Sequence, residues 1–135
     1  MRSVHKHKVV THEIVLLWLE CIFTFSGNKG TINIETLLAD YEALNTVSID
    51  DIIQFHYTFE RIHPFQDGNG RVGRLIALKE CLRFGIVPFI IEDSKKFYYY
   101  RGLSEWENEK GYLTGTCLDG QDTFKRLMES FDIRL

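Results

Sequence analysis

Two stretches of helical periodicity in this chain meet at a break that no regular element can run through. The apolar positions Ile49, Ile52, Ile53, Phe55, Phe59 and Ile62 recur at intervals that fit one face of a helix. Ser48 stands ahead of them as a cap, with Asp50 and Asp51 near the positive helix end. Pro64 disfavours helical geometry in the residue before it, so this helix is predicted to stop near His63. A second helix is predicted from Gly70 or Arg71, carrying Leu75, Ile76, Leu78 and Leu82 inward and ending at Gly85 with Pro88 beyond. The stretch HPFQDGNGR, His63 to Arg71, is therefore a loop between two helices.

The rest of the chain reads mostly the same way. Val9 to Leu19 is predicted as a buried helix, with Thr11 as N-cap and Glu13 in its first turn. Thr36 to Leu44 reads as another, and SKKFYYYRGLSEWENEK and QDTFKRLMESF as one or two more. CIFTF and TINIE alternate in polarity around the turn-rich SGNKG, which suits a small β-hairpin at residues 21–34. VPFIIED is a short apolar run. The fold class is mainly α, and 135 residues with 44% hydrophobic content and no linker or repeat suit one domain over residues 1–135.

Composition removes several function classes. A net charge of -3 argues against a general nucleic-acid surface, so any phosphate is held locally. Cys21, Cys81 and Cys117 are widely spaced and odd in number, which suggests neither a disulfide framework nor a zinc site and points to the reducing cytoplasm. The basic-then-apolar start MRSVHKHK to CIFTF has the outline of a secretory signal, but Glu20 interrupts it, no small-residue cleavage pattern follows, and the run is shorter than the roughly 20 residues a membrane span needs. His5, His7 and His12 read as solvated rather than as metal ligands.

The loop carries the chemistry. Gly68 and Gly70 remove side chains where the backbone turns, and successive exposed N–H groups there form a concave anion site. The start of the following helix adds a positive end equivalent to about half an elementary charge. Arg71 and Arg74, three apart, can both serve phosphate through bidentate hydrogen bonds. Asp67 would repel bare phosphate, yet becomes useful if it holds a Mg2+ that bridges phosphate oxygens. His63 can accept a proton near neutral pH. A base, a metal ligand and a phosphate cradle together specify attack of a hydroxyl on phosphorus. Phe65 reads as a core plug that anchors the loop.

Competing readings fail on context. Gly68, Gly70 and Gly73 satisfy GxGxxG with Glu92 or Asp93 about 20 residues on, but that dinucleotide fingerprint needs a preceding strand, and the residues here keep helical period. No GxxxxGK[ST] occurs. His56 and Glu60 lie four apart and could ligate a metal, but lacking a third ligand they read as a packed or hydrogen-bonded face.

HPFQDGNGRVGR, His63 to Arg74, resembles the signature of the Fic (Fido) family, HxFx[D/E]GNGRxxR, at every specified position. The similarity extends from about Ile49 to Pro88 and, less specifically, through FYYYRGL and GYLTGTCLDGQDTF, whereas the N-terminal 30 residues resemble nothing specific. The resemblance implies an all-α core with a small target-docking hairpin, and transfer of AMP from ATP to a Ser, Thr or Tyr hydroxyl of a target protein, with pyrophosphate leaving. By it, His63 is the general base, Asp67 holds Mg2+, Gly68, Asn69 and Gly70 hold the α- and β-phosphates, Arg71 the phosphates as well, and Arg74 the γ-phosphate. Tyr99 and Tyr100 would line the adenine pocket, or equally form aromatic core. The same fold in related proteins moves a terminal phosphate or another nucleotide, and a silent nucleotide-binding module is a further reading; the intact GNGR favours AMP. Members commonly carry an inhibitory helix, [S/T]xxxE[G/N]. The nearest stretch here, TINIET, ends in Thr36 and is no copy, which leaves control to a separate inhibitory partner or to none.

Overall fold

A computed structural model describes residues 29–134. Five α-helices follow in chain order: α1 (Lys29–Glu42), α2 (Ile49–Ile62), α3 (Asn69–Arg83), α4 (Lys96–Ser104), entered through a short 3-10 turn at Asp93–Lys95, and α5 (Gly111–Ser130). Among the described residues there is no strand, as a mainly α fold requires. The helix predicted at Val9–Leu19 and the first strand of the predicted hairpin lie outside the described residues.

The second strand of that hairpin is corrected: Lys29 to Ile34 is helical, the first half of α1. The alternation in TINIE is only five residues long, and the same residues also begin a helical face. Ile34 and Leu38, one turn apart, are both buried. The longer helical pattern wins over the shorter alternating one. The helix predicted from Thr36 accordingly starts seven residues earlier, at Lys29.

The other helix limits follow local chemistry. Ser48 caps α2 reciprocally, its hydroxyl oxygen accepting from the Asp51 N–H at 3.3 Å while Asp51 Oδ2 accepts from the Ser48 N–H at 2.8 Å. This is a capping box with Asp in the place of Glu, and such caps stabilise a helix by about 1 kcal/mol. At the far end of α3, Gly85 takes φ +67° and Ile86 N–H bonds the Cys81 carbonyl at 2.8 Å, a Schellman closure.

The described residues gather into two compact units, one of residues up to Thr46 with Thr58–Gly73, the other of Val47–Tyr57 with Arg74 onward. In the first, Phe59 and Phe65 are buried with ring centroids 6.2 Å apart, and Pro64 is buried between them in sequence. In the second, Ile52, Ile53, Ala77, Cys81, Phe89, Tyr99, Leu113 and Cys117 form one buried cluster. Tyr57 stacks on Trp106 at 5.2 Å and its hydroxyl donates to Glu107 at 2.9 Å. α4 packs on α5 so closely that a Cβ on Gly102 would lie 2.6 Å from Leu113 Cα. The apolar run after α3 pairs with no strand among the described residues. Instead Ile90 N–H bonds the Gly120 carbonyl at 3.1 Å and Gln121 donates to the Val87 carbonyl at 2.7 Å, so these part-buried main-chain groups are met by α5. Among the described residues, no helix is long and apolar enough to cross a membrane.

Candidate functional site

The predicted break is where the chain leaves α2. His63 N–H bonds the Phe59 carbonyl at 3.1 Å, and His63 itself has φ +52°, the left-handed turn that ends many helices and that usually falls to glycine. Pro64 explains why the helix cannot simply continue. A non-glycine residue held there costs about 1–3 kcal/mol, and such strain survives only where the surroundings fix it. Pro64 and Phe65, both buried, follow at once, while the imidazole of His63 stays exposed. The result is a solvent-facing base on a backbone that is pinned immediately behind it.

The loop then turns into α3. Gly68 has φ +80°, a conformation that strains other residues, and its carbonyl accepts the first helical bond from Val72 at 3.0 Å. Its N–H donates to Asp67 Oδ1 at 2.7 Å. The main-chain N–H groups of Asn69, Gly70 and Arg71 come next, and in an α-helix these positions have no acceptor in their own helix. They lie at the positive end of a helix of 15 residues.

The side chain of Asn69 faces the other way. It is 3% exposed; its Oδ1 accepts from the Phe65 N–H at 2.8 Å and its Nδ2 donates to the Phe65 carbonyl at 2.7 Å. Asp67 and Arg71 are 3.8 Å apart with side chains 93% and 78% exposed, a pair that contributes little stability and leaves both groups open to solvent. Asp67, Gly68, Asn69, Gly70 and Arg71 are thus gathered with His63 in one compact unit.

Arg74 follows Arg71 by about one turn of α3, and its described partner is aromatic: its guanidinium lies 5.8 Å from the Tyr99 ring centre. Tyr99 is 1% exposed, and its hydroxyl is 2.6 Å from His56 Nε2, itself buried and edge-on to Phe89. This is the core role open to Tyr99 from its sequence, whereas Tyr100 is 58% exposed. Among the described residues no three His, Cys, Asp or Glu side chains gather to hold a metal ion. Sequence reading missed the His56–Tyr99 bond because 43 residues separate the partners and neither motif nor periodicity links them. It also missed Lys96, bound to Asp93 at 2.8 Å, whose ammonium is held protonated above its ordinary range chiefly by that carboxylate and is opposed by the Arg74 charge.

A cleft of about 290 Å3 lies along α4 and α5, away from these residues in sequence; Arg101 caps the Tyr112 ring there at 4.1 Å and Lys95 pairs with Asp119 at 3.4 Å.

The loop brings a left-handed, exposed histidine, a run of helix-terminal N–H groups and an adjacent carboxylate into one unit, and residues 23–81, which include it, match the sequence model of the Fic/DOC family. The resemblance read from His63 to Arg74 is borne out over that range, which ends before α4 and α5 begin. Similar proteins carry the name protein adenylyltransferase Fic. That of Aedes aegypti is 44% identical over 45 residues, 33% of this chain and 9% of its own length. That of Drosophila mojavensis is 44% identical over 48 residues, 36% of this chain and 10% of its own. That of Nematostella vectensis is 42% identical over 50 residues, 37% of this chain and 12% of its own. The matched stretches thus span about a tenth of the length of these relatives.

Proposed function

We propose that the loop from His63 to Arg74 is the catalytic centre of a protein adenylyltransferase. The observation that supports this best is the pairing, in one unit, of an exposed His63 on a left-handed backbone with the open N–H groups of Asn69, Gly70 and Arg71. A Ser, Thr or Tyr hydroxyl of a protein target gives its proton to His63 as its oxygen attacks the α-phosphorus of ATP. The new P–O bond forms while the bond from the α-phosphorus to the bridging oxygen breaks, and pyrophosphate leaves with that oxygen. The helix-terminal N–H groups, the Arg71 guanidinium and, for the γ-phosphate, Arg74 hold the triphosphate in line and oppose its charge, a preorganised electrostatic term that needs no covalent chemistry from the protein.

Asp67 suits Mg2+. Mg2+ typically takes one or two carboxylates, with phosphate oxygens and water completing its shell, and Asp67 offers one hard, exposed carboxylate beside the anion site. When bound there, held by Asp67, it would supply positive charge against the phosphates. A cytoplasmic location belongs to the same proposal, resting on the cysteine pattern.

Incubation with ATP labelled at the α or the γ position, together with Mg2+ and a protein mixture, tests it. Label from the α position should enter protein and should be lost with His63→Ala. Transfer of γ label alone would overturn AMP transfer in favour of a phosphotransferase. Nucleotide binding without any labelling would leave a binding module.

A further inference from the structure

We propose that Asn69 is a positioning residue whose carboxamide closes the loop onto Phe65 and meets no phosphate, so that only its main-chain N–H serves the nucleotide. The inference rests on the nucleotide reading of this loop and changes the part Asn69 plays in it.

The carboxamide is already engaged at both ends. Its oxygen accepts from the Phe65 N–H at 2.8 Å, its nitrogen donates to the Phe65 carbonyl at 2.7 Å, and the residue is 3% exposed. A side chain so held cannot turn its polar atoms toward a ligand without abandoning a main chain that has no water to replace it. Phe65 is 4% exposed with its ring against Phe59, and buried main-chain polar groups must find partners. Asn69 supplies the donor and the acceptor together, the pairing that mimics one rung of a β-ladder across four residues.

The residue type also fits this task better than phosphate contact. Asp at this position would still accept from the N–H but would set a second acceptor against the Phe65 carbonyl; Ser is too short to span both groups, and an aliphatic residue offers neither. A phosphate, by contrast, is served equally by Ser, Thr, Lys or main-chain N–H groups. The consequence reaches the base. His63 is fixed on one side through its N–H on the Phe59 carbonyl, and the chain two residues later is fixed through Asn69. The left-handed conformation of His63 is pinned from both ends, and the second pin is this carboxamide.

Amide exchange followed by NMR on the full chain decides the matter, without nucleotide and then with Mg2+ and a non-hydrolysable ATP analogue. The Phe65 amide should be protected like the helical amides of α2 before any ligand is added. On addition, the main-chain signals of Gly70 and Arg71 should shift while the Asn69 side-chain amide signals stay in place. Asn69→Ala should release the Phe65 amide and lower α-label transfer about 100-fold, with nucleotide affinity changed by no more than about threefold. Asn69→Asp, which keeps an acceptor for the Phe65 N–H but opposes the Phe65 carbonyl, should likewise lose rate. An unprotected Phe65 amide in the wild-type protein overturns the clamp even if the alanine variant fails to fold. So does a nucleotide-induced shift of the Asn69 side chain, or an Asn69→Ala protein that no longer binds nucleotide while its Phe65 amide remains protected. If the wild-type protein binds no nucleotide at all, the transferase reading falls, and the Phe65 exchange rate still judges the clamp by itself.

Discussion

The signature loop and the α4–α5 region hold their shape by opposite means. The loop fixes its backbone through directed hydrogen bonds, Asn69 on Phe65 and His63 on Phe59, and leaves His63, Asp67 and Arg71 in solvent. The α4–α5 region rests on fully buried groups, among them Leu113, Cys117 and Tyr99, with one helix pressed to the other at Gly102. The polar side chains exposed in the first region bear little packing, and the side chains that bear packing in the second are closed to solvent. Function and stability should therefore respond separately to substitution.

The largest separation is expected at His63. His63→Ala should lower transfer by about 100- to 10,000-fold, the contribution of a positioned general base, while thermal unfolding stays close to wild type. A large fall in the melting temperature would break the contrast by showing that the loop is itself part of the core. Leu113→Ala, at 0% exposed, should do the reverse: a stability loss of about 2–5 kcal/mol in denaturant titration, with nucleotide binding intact below the transition. Tyr99→Phe sharpens the boundary. It keeps the ring under Arg74 and removes the 2.6 Å bond to His56, for a stability cost of about 1–3 kcal/mol. A change in nucleotide affinity as large as that in stability would make the tyrosine hydroxyl part of the site.

The smallest effect depends on pH. Burial penalises the thiolate and pushes Cys81 up to about 11 and Cys117 up to about 12, against an ordinary 9.0. With folded values raised, the folded protein keeps these protons longer than the unfolded chain does. Their contribution is full below about pH 9 and is lost as pH rises through the folded values. Denaturation midpoints measured from pH 8 to 11 should fall more steeply for the wild-type protein than for Cys117→Ala, and the Cys81 and Cys117 thiols should resist alkylation at pH 8.

How much of this could be read in the sequence also divides along the two regions. The limits of α2 were legible because Ser48 caps it and Pro64 ends it, both local effects. The loop was legible because Pro64 and its glycines interrupt two helical patterns, while the left-handed turn at His63 was not. TINIE misled because five alternating residues say less than the helix they belong to. The three tyrosines of FYYYR could not be sorted, since which one is buried depends on a face chosen by distant partners: Tyr99 went inside to meet His56, while Tyr98 and Tyr100 stayed out. The direction of the Asn69 carboxamide was hidden for a related reason. Its type suits a phosphate contact and a backbone clamp alike, and only the burial of Phe65 separates the two.

The left-handed residue at the end of α2 carries a consequence for any shorter version of this machinery. A free chain seldom visits that conformation with a histidine, so a peptide cut to the loop would possess every reactive group and scatter their bearings. Competence here belongs to the folded surroundings, and mild heating should silence the imidazole's aim before the helices themselves melt.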